Sequence, residues 1–288
     1  MIAVYKKEFR QAFTSIFGYM FLAFLLALIG FYVYQINLQK EYASIAYPLS
    51  SVTIFFLLLV PMLTMRTLSE EKKQKTDQLI FTAPVSVTRI ILGKYLALVT
   101  ILLIAVAIIS TYPLILARYG AVNMKISYSN IAAFFLLGCA YFAIGMFLSA
   151  MTESQIVAAI LTFIVILVTL LADALKNRIP SDNFISFLVI CVLIVLLAVI
   201  VFLMMKSIIV SVIVGIACLA ANAIVYFAVD KALFDGLLTK MLGWVSLISR
   251  FENFRYGLFD SAAYVYYLSL IFLFVFLTIQ AIKKRRWS

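Results

Sequence analysis

The residues best suited to ionic chemistry crowd into one stretch, Arg66-Thr-Leu-Ser-Glu70-Glu71-Lys72-Lys73-Gln-Lys75-Thr76-Asp77. On a helix, Glu71 and Lys75 stand four apart in the favoured order and Glu70 and Lys73 three apart, so the spacing predicts a short charged helix laced by ion pairs. Leu79, Ile80 and Phe81 then return the chain towards apolar surroundings, and Pro84 ends the stretch. Val85, Val87, Ile90 and Ile91 around Arg89 describe a second, amphipathic piece, after which Gly93 and Lys94 open a long apolar run. Two readings stand side by side: a solvated loop that sets membrane topology, and a docking helix for a cytoplasmic partner.

Other chemistry is excluded by residue type. The chain has no histidine, which removes the commonest general base and metal ligand. It has no paired carboxylates inside an apolar run, no Ser/His/Asp set and no metal-ligand cluster. Cys139, Cys191 and Cys218 all lie in apolar runs and read as small packing residues. A phosphate-binding loop needs Gly-x4-Gly-Lys-Ser/Thr. Gly93-Lys94 is followed by Tyr95 and preceded by Thr88 where the first glycine belongs, so this chain is not expected to hydrolyse ATP itself.

The elements that must position the charged stretch are membrane spans. Of 288 residues, 66% are hydrophobic and 12% charged, against about 45–50% and about 25% in a soluble domain. The excess comes in runs long enough to cross a bilayer. Eight spans are predicted, near 17–36, 49–65, 93–117, 131–150, 155–172, 184–205, 208–229 and 264–282. The sixth and seventh are parted only by Lys206 and Ser207, as a tight turn or as a mark in one bent helix; the turn fits the charge pattern better. The fold class is therefore an all-α polytopic transmembrane bundle, read as a single transmembrane domain over 1–288. The first run follows Lys6, Lys7 and Arg10 and leads into Gln35, Asn37, Gln39 and Lys40, so it reads as a retained span rather than a cleaved signal.

With both termini cytoplasmic, fourteen of the 23 Lys and Arg residues lie inside, including every dense cluster, and nine lie outside. The net charge of +11 thus follows lipid topology, and nucleic acid is set aside as a partner. Residues 66–92 become a cytoplasmic loop. Residues 230–262 become an external amphipathic segment, with Phe234, Leu237, Leu238, Met241, Val245 and Ile248 at helical spacing. Pro61 and Pro113 fall inside spans and read as static bends, and Gly145 with Ser149 as a small-xxx-small packing pair. Glu153 and Asp173 read as helix ends near the interfaces.

The string Ser69-Glu-Glu-Lys-Lys-Gln-Lys-Thr-Asp-Gln-Leu-Ile-Phe-Thr-Ala-Pro-Val-Ser-Val-Thr-Arg-Ile-Ile-Leu-Gly-Lys94 resembles the loop of type-2 ABC exporter permeases. Arg66, Glu70, Glu71, Thr76, Asp77, Leu79, Thr82, Pro84, Val85, Gly93 and Lys94 match that pattern, with Lys75 where the family has a glycine. The stretch Gly145–Ala159, the ending Lys283-Lys-Arg-Arg-Trp-Ser288 and the opening Tyr5-Lys-Lys-Glu8-Phe extend the similarity towards the gliding-motility-type branch.

The resemblance implies a transport permease without catalytic residues. Its loop would dock on a separate P-loop ATPase through Arg66, Glu70, Glu71, Thr76, Asp77, Leu79 and Pro84. Glu8, Lys94 and Glu153 would transmit the movement, with residues around Glu8 as a connector helix at the inner surface. It implies no cofactor in this chain, since ATP and Mg would bind the ATPase. It also implies a second permease chain, contact with membrane lipid, in some members a neighbouring membrane protein with an external domain, and a bacterial plasma (inner) membrane. Two rivals remain: an ATP-independent channel or secondary transporter, which would call for buried charges or broken helices at mid-membrane, and a membrane assembly protein that transports nothing.

Overall fold

The computed structural model describes residues 1–76, 86–176, 236–255 and 260–287, together with Phe187, Val189 and Cys191. Apart from those three residues of the sixth, the sixth and seventh predicted spans lie outside the described residues, as do Asp77, Leu79 and Pro84. The chain forms two compact units, residues 1–170 with 247–288, and residues 171–246. All regular structure among the described residues is helical.

Six helical segments are long and apolar enough to cross a membrane: Ile16–Leu38, Ala46–Lys73, Val87–Leu116, Met124–Met151, Gln155–Lys176 and Ser261–Lys284. Each contains or overlaps one predicted span and most run further than the apolar residues alone, because a helix keeps its hydrogen bonds through the headgroup region.

In chain order, α1 is Ile2–Thr14 and α2 is Ile16–Tyr32, which ends in one wide π-turn, Val33–Leu38. The second span is assembled from α3 (Ala46–Val52), a 3-10 turn (Thr53–Phe55) and α4 (Phe56–Thr64), with Pro61 inside α4. The short helix α5, Ser69–Lys73, follows one turn later. Next come α6 (Val87–Ile109) and α7 (Tyr112–Leu116). Pro113 does not kink a continuous helix as expected; it opens α7 in the first turn, where its missing N–H is no loss. The chain continues through α8 (Met124–Met151), α9 (Gln155–Lys176), α10 (Leu237–Val245), α11 (Leu247–Arg255) and α12 (Ser261–Trp287).

Helix α8 is the axis of the larger unit. At 28 residues it is about 42 Å long, which exceeds a hydrocarbon core of about 30 Å. Phe134, Leu137, Ala140, Tyr141, Phe142 and Met146 are wholly buried along it, so it is apolar all round. Neighbours come close where it has no side chain: a Cβ at Gly138 would fall 2.6 Å from Leu102 Cδ2. The buried hydroxyls find partners inside the bundle, Tyr141 with Thr169 Oγ1 at 3.1 Å and Tyr95 donating to the Cys139 carbonyl at 3.1 Å. The outer helices carry exposed apolar stripes, such as Ile16, Met20 and Phe24 on α2 and Ile156, Ile160 and Ile164 on α9. Lipid tails solvate such stripes as readily as water solvates lysine.

The expected external amphipathic segment, as far as it is described, is two helices, α10 in the smaller unit and α11 in the larger. In the larger unit, α11 seals the end of the bundle remote from α5. Its Phe251 ring packs 6.4 Å from Phe134 and its Phe254 ring 5.1 Å from Tyr264. Asp260 then caps α12: Oδ1 accepts from the amides of Ala262 (2.9 Å) and Ala263 (3.3 Å), and Oδ2 accepts from Asn253 Nδ2 at 2.8 Å. The Asn253 amide, helped by those two backbone amides and by Arg250, holds the Asp260 carboxyl below its usual range against the opposing effect of burial. Because the folded-state value is lowered, this cap stabilises fully above the ordinary carboxylate pKa of about 3.9 and is lost as pH falls through the folded value. Asp260→Ala is therefore expected to cost about 1 kcal/mol at neutral pH. The difference from wild type should shrink in thermal unfolding at strongly acidic pH.

In the smaller unit, the Ser246 hydroxyl donates to Asp173 Oδ1 at 3.2 Å, and Gly243 leaves room for the Lys176 stem.

Candidate functional site: a buried ionic junction at the loop helix

The charged stretch folds into less helix than its spacing predicts. α5 has five residues, too few to persist alone. Lys75 ends it with a left-handed backbone, φ +55°. The Thr76 amide bonds the Glu71 carbonyl at 3.0 Å and the Lys75 amide bonds the Lys72 carbonyl at 3.1 Å. Those two bonds make a Schellman cap with lysine where glycine is preferred. This is the position at which the resembling family carries its glycine. A non-glycine residue pays roughly 1 kcal/mol for that conformation. Lys75→Gly is expected to return this cost, raising hydrogen-exchange protection of the Thr76 amide about fivefold; unchanged protection would contradict the cap.

The predicted pairs within the loop, Glu71 with Lys75 and Glu70 with Lys73, are not the ones formed. Glu70 takes Arg66, with Nε and Nη2 donating at 2.9 and 2.8 Å, and the Arg66 guanidinium also lies 4.9 Å above the Phe17 ring. Glu71 turns inward. Its Oε1 lies 2.9 Å from Lys94 Nζ and 3.3 Å from Lys7 Nζ. Exposed pairs gain little, whereas a buried ammonium must be met.

Lys94 is the centre of this arrangement, with its side chain 1% exposed. Its Nζ meets Glu8 Oε1 at 2.8 Å and Glu71 Oε1 at 2.9 Å, and donates to the Thr67 carbonyl at 2.9 Å. An ammonium has three protons to give, and three acceptors are in place. Four pieces of chain converge here: α1 through Glu8, the end of the second span through Thr67, α5 through Glu71 and α6 through Lys94. Lys7 stands at the rim, 3.9 Å from Glu8.

The amphipathic piece expected just before Lys94 is, as far as it is described, part of the span that follows. Val87, Ile90 and Ile91 belong to α6 itself, which runs unbroken through Gly93 and Lys94 into the membrane. Gly93 is where α1 crosses: a Cβ there would lie 3.1 Å from the Met1 carbonyl and 3.2 Å from Val4 Cβ. Tyr5 adds a bond to Thr100 Oγ1 at 3.2 Å. Beside the junction, a cleft of about 70 Å³ lies between Glu8, Arg66, Glu70 and Lys94, over a floor that includes Met62 and Leu98.

The structure thus brings together Glu8, Arg66, Glu70, Glu71 and Lys94. Thr76 lies just beyond, in the cap, with its hydroxyl donating to the Glu71 carbonyl at 3.3 Å. Glu153 is not part of this group; it lies exposed in the corner Thr152–Ser154 between α8 and α9. The part of the segment turned to solvent is not made by the glutamates; it is the C-terminal end of α5 and its cap, Lys73, Gln74 and Lys75. Lys7 and Thr67 also belong to the site, and the sequence reading does not single them out for this role. Lys7 sits one residue before Glu8 in a basic start that offered a hint. The Thr67 contribution is a backbone carbonyl, for which a side-chain pattern holds no signal.

The sequence profile of the family described as ABC-2 family transporter protein matches residues 31–230, more than two thirds of the chain. The match includes Thr67, Glu71 and Lys94 and leaves Lys7 and Glu8 outside. No curated protein matches the chain.

Proposed function

The chain belongs to the ABC-2 transporter family, and on that premise we propose that it is an exporter permease driven by a separate P-loop ATPase that docks on its loop helix. As a multi-pass membrane protein of this family it is the transport component, a permease subunit. The observation that carries the docking proposal is the division of the segment into a held helix and a free C-terminal end. Glu71 is locked to Lys94, while Lys73, Gln74 and Lys75 are exposed. A helix that passes displacement from a partner needs both.

In this reading Arg66, Glu70, Glu71, Thr76, Asp77, Leu79 and Pro84 shape the docking segment, and Glu8, Lys94 and Glu153 pass the movement on. ATP and Mg²⁺ bind the ATPase. The family normally works with an ATPase and as a dimer, so a second permease chain faces this one. Eight spans with both termini cytoplasmic, a bacterial inner membrane and the gliding-motility-type branch complete the proposal.

The test is affinity purification of the tagged chain from its native membrane in mild detergent, beside a Lys73→Glu/Lys75→Glu variant. A P-loop ATPase should accompany the wild type and be lost from the variant, while the variant keeps its thermal stability. If none accompanies the wild type under conditions that preserve membrane complexes, the reading gives way to an ATP-independent channel or an assembly protein.

A further inference from the structure

The loop helix lacks an N-cap of its own, and the inner end of α8 supplies one. At its start, the N-cap residue of α5 is Leu68, which has no side-chain acceptor. The first amides of a helix have no internal partner and need an external one. Ser149 Oγ, from α8, accepts from the Leu68 amide at 3.2 Å and the Ser69 amide at 3.1 Å, and its own proton goes to the Met65 carbonyl at 3.2 Å. One donor and two acceptors are what a hydroxyl has, and all are used. Ser149 is wholly buried.

The exchange is mutual. The last carbonyls of α8 also lack internal partners, and Lys72 Nζ, from α5, donates to the Ala150 carbonyl. A cation at a helix C-terminus also meets the negative end of the macrodipole. One turn before Ser149, Gly145 receives Thr64 of α4, the residue just before the turn into α5. The two ends of α5 are therefore held on α8 by side chains that do not enter the Lys94 junction.

We infer that Ser149 and Lys72 are positioning residues that tether the loop helix to α8, so that displacement of α5 moves the α8–α9 corner at Thr152–Ser154 with it. This deepens the proposed permease function and rests on it. The covalent chain links α5 to the second span, and Lys94 links it to α1 and α6. The Ser149–Lys72 tether adds the fourth span and, through the corner, the fifth. Glu153 lies in that corner and would move with it.

Hydrogen exchange on the full chain in nanodiscs tests the tether. In the chain alone, Ser149→Ala should raise exchange of the Leu68 and Ser69 amides about tenfold, the loss of roughly one hydrogen bond each. Unchanged exchange would overturn the tether whether or not an ATPase is found. With the co-purified ATPase, trapping by ATP and vanadate should alter exchange across residues 152–155 in wild type. Ser149→Ala/Lys72→Met should abolish that response while still retaining the ATPase. Lys72→Arg alone, which keeps a donor for the Ala150 carbonyl, should preserve it. A response that survives the double variant would overturn the inference, and absence of any co-purifying ATPase would instead count against the permease reading.

Discussion

Lys94→Met is expected to destabilise the inner end of the bundle by about 3–5 kcal/mol, the usual cost of removing one partner from a buried ion cluster. Methionine keeps most of the stem, so the loss is of charge and hydrogen bonds rather than of volume. What remains is unfavourable in itself. Glu8 Oε1 and Glu71 Oε1 both lie within 2.9 Å of the vacated ammonium, and Lys7 at the rim is their nearest remaining cation, at 3.9 and 3.3 Å. Two carboxylates then repel each other in a partly desolvated place, and the Thr67 carbonyl loses its donor. Adding Glu8→Gln and Glu71→Gln to Lys94→Met should recover much of the loss, because an uncharged triad carries no repulsion. Thermal unfolding of the single, double and triple variants in detergent, read as a mutant cycle, checks this. A neutral Lys94→Met, or a triple variant no better than the single one, would contradict the junction.

Gly145→Ala should cost about 2–3 kcal/mol, which is large for one methyl group. The added Cβ would fall inside van der Waals contact of Thr64 Oγ1, 2.9 Å from Thr64 Cβ and 3.0 Å from Thr64 Cγ2. Neither side can yield. Thr64 is wholly buried and its hydroxyl is committed to the Val60 carbonyl at 2.9 Å. Overpacking of this kind forces helices apart or side chains off their rotamers. The expected consequence reaches past stability, because α4 leads directly into the loop helix and Ser149 lies one turn further along α8. Thr64→Ala in the same chain should restore part of the loss by removing Oγ1 and Cγ2, two of the three nearest atoms, and leaving Cβ. Thermal stability of the two singles and the double gives the coupling; additive effects would mean that the two residues do not meet.

The spans within the described residues were legible because a bilayer imposes a length and an apolar composition that local sequence must meet. Lys94, Glu8 and Glu71 were legible as residues, through a resemblance, but not as partners. They stand far apart in the chain, and periodicity along one helix says nothing about which carboxylate crosses the bundle to meet a buried lysine. The local pairs that spacing predicted, Glu71 with Lys75 and Glu70 with Lys73, gave way for a physical reason: Lys75 leaves the helix in a left-handed turn, and exposed pairs are worth less than satisfying a buried charge. By spacing, Gly145 and Ser149 make a small-xxx-small packing pair. Gly145 fits that reading. Ser149 caps another helix instead, and no local signal marks a cap given to a neighbour. Pro113 was placed inside a span by its apolar surroundings; the break at Ser110–Thr111 shows that backbone geometry, not hydropathy, sets where one helix ends.

The exposed C-terminal end of the loop helix is expected to meet an ATPase, and a photo-crosslinking residue at Gln74 reports that contact. The chain would be expressed at native level, irradiated in its own membrane, and the adducts identified by mass spectrometry, with the same probe at the exposed Tyr119 as control. An adduct with a protein that carries a P-loop is expected at Gln74, and none with that protein at Tyr119. Adducts at Gln74 that contain no ATPase, or the same ATPase captured from Tyr119, would contradict it.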